Sequence, residues 1–446
     1  MVHKQRFLTG STTRHVLVMT LTGALGLMFM FMVDVATLFW VSVLDQERLI
    51  AALGFAWTIQ FFTISVGIGL IIATTAQVSK SIGQGKIEQA RKQTMSAMVY
   101  AVSLQVVIAS FVVLFRREIL GYAGAEGETL ELAASFLSIS IPSLPIFVIG
   151  MVGSAVLRSV GDAVRSMNVT LVTGLIAVVV DPFLIFGLDL GLDGAAWGVV
   201  ISRGGSALLS VWFVVHVHQM TTRITFGELV AMFRPYLIIA TPAVLTQLST
   251  PFGNYLLTKV IAGYGDMAVA GWAVISRVAV LAFGGIFSLS GAIGGIIGQN
   301  FGARKMDRVR LVFRDSLMFC LFYTLIVWGV LATFHAPIAR MFGLGPEATE
   351  VLSAFTVVAA GGYVFSGALF VSNAAFNNLG RPLFSTACNW FRDGILIYPC
   401  AIAMGIAMGA PGVVYGQAIA AAIAGLFALV WAWFFVYQLA RRVGDA

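Results

Sequence analysis

Asp34 lies in the run LGLMFMFMVDVATLFWVSV, with no other charged residue within ten positions on either side. A charge at mid-bilayer costs about 2.5–3.5 kcal/mol on insertion scales, so it normally faces a wet cavity or a partner. A carboxyl held there without a fixed cation can gain and lose a proton near neutral pH, which is the chemistry of an ion-coupling site. The plainer alternative is a structural Asp bonded to backbone or hydroxyls. Asp181, in VVVDPFLIF, is the second such carboxylate. Pro182 removes one helical hydrogen bond and frees a carbonyl a turn earlier, which could help to ligate a cation or water. Its plainer alternative is a helix-end Asp near the outer interface. Met30 precedes Asp34 by four residues and shares its helical face. Methionine suits a pocket that accepts many shapes, so Asp34, Met30 and Asp181 are the expected substrate contacts. Arg203, Lys259, Arg277, Arg392 and Asp393 also fall inside apolar runs. For the last four, pairing between helices or snorkelling is expected ahead of substrate contact.

These residues need helices that stay in hydrocarbon. Of 446 residues, 59% are hydrophobic and 11% charged, with a mean hydropathy of +0.94, too little polar surface to cover a soluble globule. Apolar runs at 16–43, 50–79, 94–115, 131–157, 167–188, 194–218, 235–262, 268–298, 311–334, 348–376, 383–407 and 411–439 predict twelve transmembrane helices. No alternating pattern supports a barrel.

The chain is also duplicated. IGQGKIEQAR from Ile82 returns as FGARKMDRVR from Phe301, an offset of 219. The same offset lays ERLIAALG from Glu47 over DMAVAGWA from Asp266, and VGSAVLRSVG from Val152 over VSNAAFNNLG from Val371. With a shift of one, GLDGAAWG from Gly191 lies over GAPGVVYG from Gly409. Each unit holds six helices. Because six is even, both units run in the same direction, and the pseudo-twofold between them lies along the membrane normal. The expected division is a lobe of residues 1–218, a polar linker of 219–234 able to hinge, and a lobe of 235–446. Nineteen Lys and Arg flank one side of the predicted spans and four the other, which places both termini in the cytoplasm of a cell with the chain in its plasma (inner) membrane. Two like-oriented bundles imply a central cleft and access that alternates by rocking.

The net charge of +7 is carried by these loops, so no nucleic-acid partner is expected. Cys320, Cys388 and Cys400 lie in apolar runs without paired spacing and read as packing residues. His216 and His218, at the end of a span, read as solvated or interfacial, and no metal site is expected. The first apolar run is long enough to remain as a span rather than be cleaved. Asp189, Asp193, Glu126, Glu128 and Glu131 read as solvated loop residues. There is no P-loop, phosphate cradle or Ser/His/Asp arrangement, so neither an enzyme nor a cofactor is expected. Energy must come from an ion gradient or a partner; small molecules, the ion and the bilayer are the expected partners, and a single chain the expected working unit.

MVDVATLFWVSVLDQERLIAALGFA from Met32, the IGQGKIEQAR loop, VLRSVGD from Val156, VVVDPFLIFGLDLGLDGAAWGVVIS from Val178 and IGQNFGARKMDRVR from Ile297 stand in an order and spacing that resembles the multidrug and toxic compound extrusion (MATE) family over essentially the whole chain. The resemblance implies an all-α membrane protein of twelve helices in two six-helix lobes, exporting organic cations or other amphipathic compounds against H⁺ or Na⁺. It assigns Asp34 and Asp181 to the coupling site, with Ser202 as a nearby hydroxyl. Many relatives carry an Asn one turn before the fifth-helix Asp, where this chain has Ala177. That thins the polar cage Na⁺ would need and favours H⁺. Some relatives also carry carboxylates in the seventh and tenth helices, and here 235–262 and 348–376 contain none but Glu350. Coupling is therefore expected in the first lobe, with protonated Asp34 hydrogen-bonded toward Asp181. The alternative reading is a lipid-linked flippase of the same superfamily, which would need Arg203, Lys259, Arg277 and Arg392 to converge on one cavity. A membrane scaffold would leave the two isolated carboxylates unexplained.

Overall fold

In hydrocarbon every backbone N–H and C=O must be satisfied within its own segment, and the long apolar runs answer by folding as helices. The computed structural model describes residues 5–44 and 47–444, and all regular structure among them is helical. Lys4 of the predicted cytoplasmic set, and Asp45 and Gln46 of the Met32 motif, lie outside the described residues.

The first lobe comprises α1 (Thr12–Ser42), α2 (Arg48–Gly83), α3 (Ile87–Leu114), α4 (Gly127–Ser159), α5 (Ala163–Gly187) and α6 (Gly191–Val217). The second begins with α7 (Phe226–Ala262), followed by α8, which bends by 46° between Asp266–Ala282 and Gly284–Gly302, then α9 (Met306–Thr333) and α10 (Pro346–Asn378). The last helical stretch, Pro382–Arg442, holds two crossings. Gly409 takes φ 68°, ψ −152°, a left-handed conformation that glycine adopts without a Cβ penalty, and the chain doubles back there. Gly412 packs under the Met404 carbonyl and Gly416 under that of Cys400, so α11 (382–408) and α12 (410–442) run antiparallel. Among the described residues, with the bent α8 counted once and the last stretch divided at Gly409, this gives twelve long apolar helices, as the apolar runs predict.

The expected linker is shorter than its polar composition suggests. A capping box between Thr225 and Glu228 starts α7 at Phe226, so the non-helical connection is only 218–225. The sequence places residues 226–234 in the linker because they are not apolar enough to span, but a capped helix needs no such composition to begin there.

At the Lys/Arg-rich end the lobes interlock through their duplicated motif. Gly83 of α2 sits on the Gln299 carbonyl of α8, and Gly302 of α8 sits on the Lys80 carbonyl of α2. Both partners are related by the 219-residue repeat, so the contact is its own pseudo-twofold image. A residue with a side chain at either glycine would overlap backbone. The segment before α1 straps this junction. Gln5 donates to the Ile82 carbonyl at 2.8 Å, while Phe7, 2% exposed, has its carbonyl held by Asn300 and Arg308 at 3.2 and 2.9 Å. Gln299 donates to the Ser159 carbonyl at 2.6 Å, and Thr12 and Thr13 donate to buried Asp315 at 2.6 and 2.8 Å. Among the described residues, the side-chain hydrogen bonds that cross between lobes all lie in this half, reaching no farther than Thr20–Ser288 and Leu70–Tyr236.

Candidate functional site

Small residues set how α1 meets α5. Gly26 packs against Thr170, and Gly174 leaves room for Phe29 and Val33, so the stripe Phe29, Val33, Thr37 faces α5. Lipid-embedded helices approach closely where such residues remove bulk. The approach brings the Thr37 hydroxyl to Asp181 Oδ2 at 2.6 Å. Asp181 is 2% exposed, and its Oδ1, pressed against Gly198 of α6, has no hydrogen-bond partner among the described residues. Pro182 behind it is followed by a π-helical turn, Phe183–Gly187, the break in helical bonding that proline imposes.

Asp34, one turn before Thr37, is exposed. Protein nonetheless surrounds it closely enough for its charge to interact with both Asp181 and Arg203, and it accepts no hydrogen bond from a described residue. It lies beyond the hydrogen bonds that join the lobes, in the half of the molecule where no side-chain bond between described residues crosses from one lobe to the other. Arg203 of α6 is 4% exposed and fully engaged. Its guanidinium donates to the Ser140 carbonyl at 2.9 Å, the Ser143 hydroxyl at 2.8 Å and Gln60 Oε1 at 2.7 Å, and it stands 4.9 Å from the Phe147 ring centroid. A buried charge needs such partners, and these tie α2, α4 and α6 behind the two carboxylates. The site can hold an exchangeable proton or cation at Asp34, with a shielded second carboxylate and a fixed guanidinium behind it.

Other expected residues fall differently. Asp34 and Asp181 share a neighbourhood but no hydrogen bond, because Thr37 fills the position next to Asp181. Ser202 donates to the Gly198 carbonyl of its own helix at 2.8 Å rather than to a carboxylate. Met30 is half-buried on α1, and Lys259 and Arg277 are exposed without an ion pair among the described residues. Arg392 pairs not with another helix but with its neighbour Asp393, at 2.7 Å. Cys320, Cys388 and Cys400 are free thiols, the first two buried, as packing residues should be. Thr37, Gln60, Ser140 and Ser143 were not predicted. Their signal was faint: hydroxyls and one amide in apolar runs, with Thr37 one turn from Asp34.

His218 is not simply interfacial. It bonds Asp162 at 2.9 Å, and Arg165 adds a backbone N–H at 3.1 Å and a guanidinium bond at 2.5 Å. Burial alone would raise the Asp162 carboxyl. The His218 and Arg165 bonds outweigh it and hold the carboxyl well below its ordinary range. A depressed folded-state value stabilises above the unfolded value and is lost only as pH falls toward the folded one. Asp162→Asn should therefore lower stability by about 1–3 kcal/mol, read as a lower thermal midpoint in detergent. The gap from wild type should stay constant down to about pH 5 and narrow only in stronger acid.

Gly198 offers a sharper test of the Asp181 pocket. A Cβ there would overlap Asp181 Oδ1, so Gly198→Ala should displace the carboxylate. Export should fall severalfold or more, while the thermal midpoint shifts by no more than an overpacked core site costs, about 1–3 kcal/mol.

Two duplicated six-helix bundles, sealed at one end by bonds between the lobes and carrying an exposed carboxylate beyond the seal, have the architecture of a membrane transporter. The MatE family model matches residues 23–183 and again 242–402, once per lobe and 219 residues apart. The chain belongs to the multidrug and toxic compound extrusion (MATE) family. It is 26% identical over 449 residues to the FAD transporter of Shewanella oneidensis, covering 99% of this chain and 97% of that one. It is 22% identical over 426 residues to the multidrug export protein MepA of Staphylococcus aureus, covering 94% and 92%. A crystal structure of a mutant of the Vibrio cholerae MATE transporter VcmN superposes with a TM-score of 0.89 at 25% identity, covering 97% of each chain. An outward-facing multidrug resistance MATE transporter superposes with a TM-score of 0.91 at 21% identity, covering 98% of each.

Proposed function

We propose that this transporter is a secondary active exporter that expels amphipathic organic cations in exchange for H⁺, with Asp34 as the exchange site. The carrying observation is that Asp34 is exposed, unbonded by described residues and within charge reach of Asp181 and Arg203. The Lys/Arg-rich end is the cytoplasmic one by the positive-inside rule, so the sealed state described above is outward-facing. Residues 1–218 and 235–446 act as the two rocking bodies, and a single chain supplies both. A proton entering from outside neutralises Asp34, removes the attraction for a bound cation and releases it outward. Relaxation of α1 against α5 at the Thr37–Asp181 contact then favours the inward-facing state, and proton loss to the cytoplasm restores the charge for the next substrate. H⁺ is preferred to Na⁺ because Ala177 adds no polar ligand beside Asp181.

A second reading is export of a flavin nucleotide, favoured by the 26% identity to the FAD transporter over nearly the whole chain. The lipid-flippase alternative loses its premise. Arg203 is bonded within the first lobe, Arg392 is paired with Asp393 in the second, and Lys259 and Arg277 are exposed and unpaired among the described residues, so the four do not converge on one cavity.

The test is uptake of ethidium and, separately, of FAD into energised inverted vesicles under a pH gradient and then a Na⁺ gradient. Ethidium uptake driven by the pH gradient supports the proposal. Drive by Na⁺ alone overturns the choice of ion, and FAD uptake without ethidium uptake overturns the choice of substrate.

A further inference from the structure

The frame that holds the strap before α1 occurs twice in the molecule, and its second copy stands open. Under the 219-residue repeat, Gln299, Asn300, Arg308 and Gly161 correspond to Lys80, Ser81, Gln89 and Gly380. In the filled copy the Phe7 N–H donates to Gln299 Oε1 at 3.3 Å, and the Phe7 carbonyl accepts from Asn300 and Arg308. A Cβ on Gly161 would lie 3.1 Å from Arg6 and 3.3 Å from Phe7, whereas one on Gly380 would meet no described atom within 4 Å. The difference arises before α7. The counterpart of Phe7 is Phe226, where the Thr225–Glu228 capping box has already started the helix. Residues that fold across the frame before α1 here run on along α7, and Phe226 is 79% exposed where Phe7 is 2%.

What remains is a cavity of about 310 Å³ between the lobes at the sealed end. That is room for roughly ten waters at about 30 Å³ each, or for one small polar molecule. Lys80, Gln84, Gln89 and Gln93 line it from α2, α3 and the turn between them, and Asn377 and Asn378 line it from α10. Lys80, Gln84 and Gln89 are exposed at its rim, while Asn377 and Asn378 are 2% and 6% exposed.

Two acceptors of this lining are orphaned. Gln93 Oε1 on the first lobe and Asn378 Oδ1 on the second are buried, and no described residue bonds either. A buried acceptor left unpaired is costly, so each calls for a donor. Lys80 brings an ammonium, and among the described residues no carboxylate lines the cavity. Glu88 and Glu228, on the helices beside it, are paired with Arg91 and Lys92. A ligand matched to this lining presents an anion to Lys80 and hydroxyl donors to the two oxygens.

We propose that this cavity binds a phosphoglycerol group, and that the bound group holds the sealed end closed. The phosphate accepts from Lys80, charge-assisted, and from the glutamine amides at the rim. The glycerol hydroxyls donate to Gln93 and Asn378. Because those two residues stand on different lobes, the ligand does for this side of the junction what the strap does for the other. The lobes complete the lining together only while that end is closed, so binding favours the closed state. Phosphoglycerol can arrive as the headgroup of phosphatidylglycerol or as free glycerol 3-phosphate. Its binding depends on closure of the lobes and not on the ion or substrate carried, so it stands or falls apart from Asp34.

The test is lobe closure in the purified full chain in nanodiscs, read from spin labels at exposed Lys86 and Asp307, one on each lobe. In phosphatidylcholine nanodiscs, added glycerol 3-phosphate should raise the short-distance population if the free molecule is the ligand. Nanodiscs containing phosphatidylglycerol should raise it unaided if the headgroup is. In either arm the amount needed for half the response should rise about tenfold or more in Lys80→Met, and Lys80→Arg should restore most of the response. Gln93→Met should weaken it severalfold. Its thermal midpoint without phosphoglycerol should not fall, because the substitution removes an unpaired acceptor rather than a bond. No response to either source would overturn the site, as would equal responses from wild type and folded Lys80→Met. If that variant does not fold, the comparison with Gln93→Met decides in the same way.

Discussion

Asp34→Asn should reduce pH-gradient-driven efflux to the level of vesicles lacking the protein, the largest single effect expected anywhere in the chain. The amide keeps the size of the side chain and removes its capacity to exchange a proton for a cation. Stability should change little, within about 0.5 kcal/mol, because Asp34 is exposed and bonds to no described residue. The contrast with Asp181 is informative. Its Oδ2 accepts from Thr37 and the residue is buried, so Asp181→Asn should cost both transport and stability, whereas Asp34→Asn should cost transport alone. The measurement is ethidium flux paired with thermal unfolding of the same preparations. Full efflux by a folded Asp34→Asn protein would sink the mechanism proposed above.

The second large effect should come from the pseudo-twofold contact at the sealed end. Gly83→Val and Gly302→Val each place a branched side chain where a backbone carbonyl of the other lobe now sits. Backbone cannot rotate away as a side chain could, so the lobes must separate there. An overpacking cost of about 1–3 kcal/mol falls wholly on the closed state, and a bias of that size shifts a two-state population by roughly 5- to 150-fold. Transport should stop because alternation stops, even though Asp34 is untouched. Spin labels at exposed Gln89 and Asp307, one on each lobe, should report a longer distance across this end in either variant. An unchanged distance with normal transport would show that the interlock does not govern access.

The strap of residues 5–13 enters the same balance. Its bonds to Ile82 on one lobe and to Asn300, Arg308 and Asp315 on the other exist together only while that end is closed. Opening it must break at least one set.

Much of this protein is determined by its sequence alone. Helix count, duplication, the direction of the repeats and the two carboxylates worth pursuing all follow from hydropathy, spacing and the cost of charge in hydrocarbon. These are properties of single segments, and a segment carries them wherever its neighbours lie. The tertiary structure decided which polar groups meet. Thr37 rather than Asp34 bonds Asp181, Ser202 turns to its own backbone, Arg203 finds Gln60 and Ser143, and Arg392 closes on Asp393. The same holds for Gly83 and Gly302, whose repeat was plain in the sequence but whose mutual contact was not. The reason lies in the solvent. Lipid is as apolar as the helices themselves, so no hydrophobic stripe records which face of a helix turns inward. Rotation and register are set by where small residues let backbones approach, and a fraction of a turn decides whether a hydroxyl meets a carboxylate or its own helix.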